Sequence, residues 1–239
     1  MLNTIVAQSV RFFADEIEKL KSGGMAVDAA LKKVTIDTLK KHKRIIFGGN
    51  GYSAEWEAEA ARRGLPNLRT TPEALDTYYS EKNIDLFESM NVLTRQELQA
   101  RSSILFEDYT KRILIEGRVL SNMALTQIAP VAFEYQKVLA ESISALEAVT
   151  GKNSAKTQRE SLAQLTQTLN SLIEHAKAIQ SVVNQAHHQE SISASAHYCQ
   201  KELKPLMVLA REASDELEAI IPAKDWPLPT YHQMLFMQD

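Results

Sequence analysis

The sequence predicts a mostly α protein: a helical bundle with a long antiparallel helix pair and at most one short strand-like segment near 44–47. Three observations predict it. Turn formers are scarce, with 8 Gly and 7 Pro in 239 residues, where average usage of the two together is about 12%. Sandwiches, barrels and open sheets need more turns. Apolar residues recur at intervals of three and four along most of the chain, the period of one helix face. Two such runs near the C-terminus hold that spacing long enough to form a coiled-coil-like seam.

Residues 3–21 carry Ile5, Val6, Val10, Phe13, Ile17 and Leu20 at helical spacing, and Ser22-Gly23-Gly24 stops that helix. A second helix spans about Val27 to His42, and the basic run Lys40, Lys41, Lys43 and Arg44 at its end complements the helix dipole. The period then changes. Arg44-Ile45-Ile46-Phe47 is short, apolar and strand-like, and meets Gly48-Gly49-Asn50-Gly51. Ser53 is a good N-cap for a helix from Ala54 to Arg63 that ends at Gly64. Pro72 opens another helix, and residues 71–93 read as short helices broken near Ser80–Asn83 and at Asn91.

Thr94-Arg95-Gln96-Glu97 fits a capping box. The long helix that follows is expected to kink or end near residue 129, because Pro130 cannot donate and crowds the preceding turn. Helical pattern resumes to Thr150-Gly151. Leu162, Leu165, Leu169, Leu172, Ala176, Ile179, Val183 and Ala186 form the first seam; Leu203, Leu206, Ala210, Ala213, Leu217 and Ile220 form the second, after a break at 187–191. An antiparallel pair is the simplest packing. Pro222 ends the second helix, and the aromatic stretch from Trp226 to Tyr231 is expected to dock back on the body.

Composition narrows function. A net charge of −3, from 27 basic and 30 acidic residues, argues against nucleic acid as a partner. The apolar runs are too short to span a membrane, and Met1 to Val6 has no basic leader, so a cytoplasmic protein is expected. One cysteine, Cys199, excludes a disulfide framework and reads as a half-buried packing residue.

The most suggestive chemistry lies at Gly48–Ser53, where a glycine loop leads into a helix N-terminus, an arrangement able to bind phosphate. It lacks the lysine of a P-loop and the third glycine of a dinucleotide fingerprint. A tight turn with glycines at positive φ is the stronger reading. The histidines His42, His175, His187, His188, His197 and His232 form no zinc motif. Glu116 with Arg118, and Glu107 with Lys111, read as surface pairs. No nucleophile, base and orienting group come together, so no catalytic, cofactor-binding or metal residue is assigned.

The loop and its flanks nevertheless resemble a family. Arg44 to Ser53, with Trp56, Glu59, Ala60, Arg63-Gly64-Leu65-Pro66-Asn67-Leu68 and Thr70-Thr71-Pro72-Glu73-Ala74-Leu75, resemble the C-terminal region of type III glutamine synthetases. So do Met1 to Ala7, Glu97-Leu98 with Arg101, Glu107 and Tyr109, and Trp226 to Tyr231 followed by Met234-Leu235-Phe236. Gly48 departs from the asparagine expected there. Residues 150–200 carry little family signature.

The resemblance implies an enzyme that ligates ammonia to glutamate with ATP and divalent metal, in two stacked hexameric rings. Its metal, glutamate and ATP ligands lie upstream of the matching region, so none is carried onto this chain, and ATP and Mg are expected only with the full-length enzyme. Residues 1–93 then correspond to the end of the catalytic domain, 94–221 to a long-helix bundle and 222–239 to a docking tail. The expected partners are the rest of the synthetase subunit and neighbouring subunits, in a homo-oligomer. The alternative is a stand-alone helical protein-interaction module. Once separated from such a subunit, helix 3–21 and the segment 45–47 should expose apolar faces.

Overall fold

The computed structural model describes residues 1–229 and 231–236, except for the side chains of residues 231 and 232. The described residues are helical or irregular, with no strand among them. The chain divides into two compact units, residues 1–104 and 105–239, with the boundary inside one long helix.

In the first unit, α1 spans Leu2–Ser22 and packs on α2, Val27–His42. Gly24 takes φ +91° between them, the left-handed conformation that ends the first helix. α3 covers Ala54–Arg62, α4 Thr71–Tyr78 and α5 Glu81–Ser89. Their starts are encoded locally. The Ser53 hydroxyl accepts from the Trp56 amide, and Thr70 and Glu73 form a capping box with Pro72 in the first turn. Thr94 and Glu97 form the expected box at the start of α6, Arg95–Met123, with the Glu97 carboxylate accepting from the Thr94 amide at 2.8 Å. The core here is small. Ile84, Phe87 and Leu98 are buried, flanked by Tyr78, Tyr79 and Leu93.

The strand-like segment is not a strand. Lys43–Ile45 is a single 3₁₀ turn and Ile46–Phe47 is irregular. No second strand is at hand to pair with it. Two of its carbonyls are satisfied instead by the Arg63 guanidinium, whose Nη1 donates to Arg44 O at 3.1 Å and Ile46 O at 2.8 Å.

The second unit is a bundle of three antiparallel rods. The first continues along α6 into α7, Ala129–Thr150; the second is α8, Lys156–Ala186; the third joins α9, Ile192–Tyr198, to α10, Lys204–Ile220. Opposed directions follow from the cross-links. Gln136 reaches Thr166 and Glu147 reaches Arg159, while Thr168 reaches Glu216 and Gln185 reaches Tyr198. Both seams point inward. Leu165, Leu169, Leu172, Ala176, Ile179, Val183 and Ala186 are buried with Leu203, Ala210, Ala213 and Leu217 in one core. Pro222 lies in the turn after α10, and Trp226 and Leu228 pack on that core. A short α11, Tyr231–Leu235, follows; residues 230 and 237–239 of the expected tail lie outside the described residues.

Pro130 neither ends the first rod nor stands alone. A π turn at Ala124–Ile128 precedes it, and the Ala129 amide bonds back five residues to Ala124 O. Pro205 repeats the device: Cys199–Leu203 is a π turn and the Lys204 amide bonds to Cys199 O. Proline in a regular helix interior costs about 3 kcal/mol or more, through a lost bond and a clash with the carbonyl four residues back. One wide turn relieves both and lets the helix continue.

At Gly117 the rods approach closely. A Cβ there would sit 3.2–3.4 Å from the Leu203 and Val183 methyls. Gly117→Val is expected to destabilise the second unit by about 1–3 kcal/mol through overpacking, measured as a lower urea midpoint with unchanged slope.

Candidate functional site

The Gly48–Ser53 loop is held by a clasp. α3 presents Trp56, Glu59 and Arg63 one turn apart on one face. The Phe47 ring stacks on Trp56 with centroids 4.3 Å apart and planes 26° from parallel. The Arg63 guanidinium lies 5.6 Å from the Trp56 ring centre while donating to the carbonyls of residues 44 and 46. Glu59 fixes that guanidinium, accepting from Arg63 and, bidentately, from Arg62 at 2.6 and 2.7 Å. Hydrogen bonds from Arg62 first, then Arg63, pull the Glu59 carboxyl down from 4.5 to about 2.

The loop spends its polar groups on itself. The Tyr52 amide donates to Asn50 Oδ1 at 3.0 Å, the Ser53 amide and hydroxyl donate to Asn50 O, and the Trp56 amide is taken by Ser53. Glu55 and Glu57 add negative charge to the first turn of α3. Three engaged amides and two nearby carboxylates weaken the loop as a cradle for phosphate. The glycines also differ from the expected positive-φ turn. The positive-φ glycines of the described residues are Gly24, Gly64 and Gly151. Gly49 is needed for space: a Cβ would stand 2.5 Å from the Phe47 ring. The tip projects Tyr52, which is 98% exposed.

The other sequence candidates are dispersed. Among the described residues no group of three or more His, Cys, Asp or Glu side chains is placed to hold a metal ion. His42 and His188 are exposed, and His175 and His197 are half-buried on separate helices. The side chain of His232 lies outside the described residues. His187 meets Arg118, with Nε2 2.6 Å from Nη2. Arg118 therefore faces α8 rather than Glu116, because residues two apart point to different sides of a helix. Glu107 and Lys111 do pair, at 2.6 Å on the surface. Cys199 is fully rather than half buried, and burial pushes its thiol up to about 11, the mark of an inert packing group.

The clasp itself escaped the sequence reading. Its signal was available in the spacing of Trp56, Glu59 and Arg63 on one helix face. Nothing local, however, says that Arg63 folds back over residues 44–46.

By class, the described residues form an all-helical domain with a clasped loop. Comparison with known proteins gives the family. Residues 30–147 match the family model of the glutamine synthetase C-terminal domain. The chain is 37% identical over 243 residues to the type-3 glutamine synthetase of Dictyostelium discoideum, covering 100% of this chain and 33% of that protein. It is 28% identical to a glutamine synthetase of Bacteroides fragilis, over 98% of this chain and 33% of that protein. It is 33% identical to one from Butyrivibrio fibrisolvens, over 86% and 29%. The chain belongs to the glutamine synthetases as a C-terminal domain of that family, and it spans about a third of the length of the relatives it matches.

The clasp has a pH dependence of definite sign. A carboxyl lowered on folding stabilises fully above its ordinary value of 4.5, and that contribution fades as pH falls toward 2. Hydrogen exchange at amides 44–53 is therefore expected to lose protection on acidification through that window. Glu59→Gln should remove the pH dependence and leave residues 105–229 unchanged.

Proposed function

We propose that this chain is the helical, oligomer-supporting part of a glutamine synthetase subunit and supplies none of its catalytic residues. In that reading the complete enzyme performs ATP-dependent ligation of ammonia to glutamate, and ATP and Mg are held by residues outside this chain. The transferring phosphoryl group needs acidic ligands around metal and cations around the developing charge. The clasp ties its arginines to Glu59 and to backbone carbonyls, so it offers neither.

One observation carries the proposal. Leu2, Val6 and Val10 form a stripe on α1 and are exposed, Leu2 by 74% and Val10 by 63%. Ile45 and Ile46 are exposed as well, Ile46 by 58%. A helix with an apolar stripe requires a neighbour to cover it. The rest of the subunit and adjoining subunits are the covers proposed here, which agrees with the share of the relatives' length that this chain spans. An interaction module using the 162–186 seam has less support, since the bundle's own core occupies that seam.

No helix among the described residues is long and apolar enough to cross a membrane. The purified chain is expected to form no glutamine from glutamate, ammonia and ATP; detectable product overturns the non-catalytic assignment. The purified chain is expected to self-associate through this exposed stripe, and the double substitution Val6→Lys, Val10→Lys should reduce that association in sedimentation. Because both sites are exposed, unfolding stability should stay within about 0.5 kcal/mol.

A further inference from the structure

The clasped loop carries a reactive pair that the supporting role does not use. Asn50-Gly51 is the one Asn-Gly step in the sequence. Both residues are exposed and neither lies in a helix. An asparagine carboxamide and the next backbone nitrogen can close into a cyclic imide. Glycine after the asparagine favours closure, because it has no Cβ to crowd the approach and its backbone turns easily.

Three features of the loop favour the reaction. The Tyr52 amide donates to Asn50 Oδ1 at 3.0 Å. That bond folds the carboxamide back over the peptide that follows it, toward the Gly51 nitrogen, and draws electron density from Cγ. The Gly51 amide makes no hydrogen bond among the described residues, which leaves its proton open to hydroxide. Nothing lies within 4 Å of where a Gly51 Cβ would stand, so water reaches the step.

We propose that Asn50 is a self-deamidating site whose conversion loosens the loop as the protein ages. The Gly51 nitrogen gives its proton to hydroxide and bonds to Asn50 Cγ. The Cγ–Nδ2 bond breaks, and Nδ2 takes a proton from water and leaves as ammonia. Water then opens the imide. Addition at Cγ breaks the new bond and yields aspartate. Addition at the main-chain carbonyl carbon of Asn50 breaks its bond to the Gly51 nitrogen and yields isoaspartate, with the chain rerouted through Cγ. One water is consumed, one ammonia is released, and no electrons are exchanged. The Asn50 carbonyl that accepts from the Ser53 amide and hydroxyl becomes part of a free carboxylate in isoaspartate, and the backbone gains a methylene. The turn that seats Ser53 as the cap of α3 is lost.

Peptide mapping by mass spectrometry of the purified chain, aged at neutral and at mildly alkaline pH, tests this. The mass gain of amide becoming acid is expected at Asn50, faster at the higher pH, with isoaspartate shown by isoaspartyl methyltransferase labelling. Asn153, exposed in a turn ahead of Ser154, is the internal comparison and should react at least about tenfold more slowly. Gly51→Ala meets open space and no positive φ. It should slow conversion of Asn50 by about tenfold. Hydrogen exchange at amides 52–56 should speed up in step with isoaspartate, while amides 105–229 keep their protection. Asn50→Asp keeps a side-chain oxygen for Tyr52 and an unlengthened backbone, and should hold that protection. Asn50 converting no faster than Asn153, a rate unchanged by Gly51→Ala, or unaltered exchange in isoaspartate-bearing chains would each overturn the proposal.

Discussion

Burial of one edge of α8 is the constraint on which the rest of the bundle depends. From Leu165 to Ala186 every third or fourth side chain is removed from water, and α6, α7 and α10 all pack against that line. Each fully buried Leu, Ile or Val contributes about 1.5–3 kcal/mol, so the line is a large share of what organises the second unit. Its sizes alternate. Large residues such as Leu172 and Ile179 fill space, while Ala176 and Ala186 let neighbours come close. Ser121 uses one such approach to donate to the Ala176 carbonyl at 2.9 Å, and Gly117 uses another beside Val183 and Leu203.

The π turns make that packing possible over such length. Straight rods with prolines at 130 and 205 would break where the core needs them continuous. A single wide turn before each proline keeps the helix running and places Ala124, Ile128, Cys199 and Leu203 in the buried set. Of these, Ala124 and Ile128 also line a groove beside α10.

The first unit is stabilised differently. Its small buried cluster is supplemented by caps, by the bidentate Arg95–Glu81 pair and by the clasp at Arg63. Polar devices of this kind hold local geometry but bury little apolar area. That leaves the Leu2, Val6 and Val10 stripe of α1 uncovered, the physical basis for the proposed place within a larger subunit. Within the glycine loop, the Tyr52 and Ser53 amides are bonded to Asn50 and the Trp56 amide to Ser53.

The sequence by itself determined the helices and most of their ends. Capping at Ser53 and Thr94, the stop at Gly24 and the two seams are local or periodic signals, each decided within one or two turns of chain. Tertiary structure decided the rest. Residues 44–47 have strand-like composition, yet their carbonyls are bonded by an arginine seventeen or more residues away, and no local pattern reports that. Pro130 was legible as a disturbance but not as a π turn, because continuation depends on a core that rewards an unbroken rod. Gly49 was legible as a turn residue, yet the reason for it is the Phe47 ring stacked on Trp56. Arg118 and Cys199 were misplaced for the same reason: side-chain surroundings are set by which helices meet, and helix period alone does not say which.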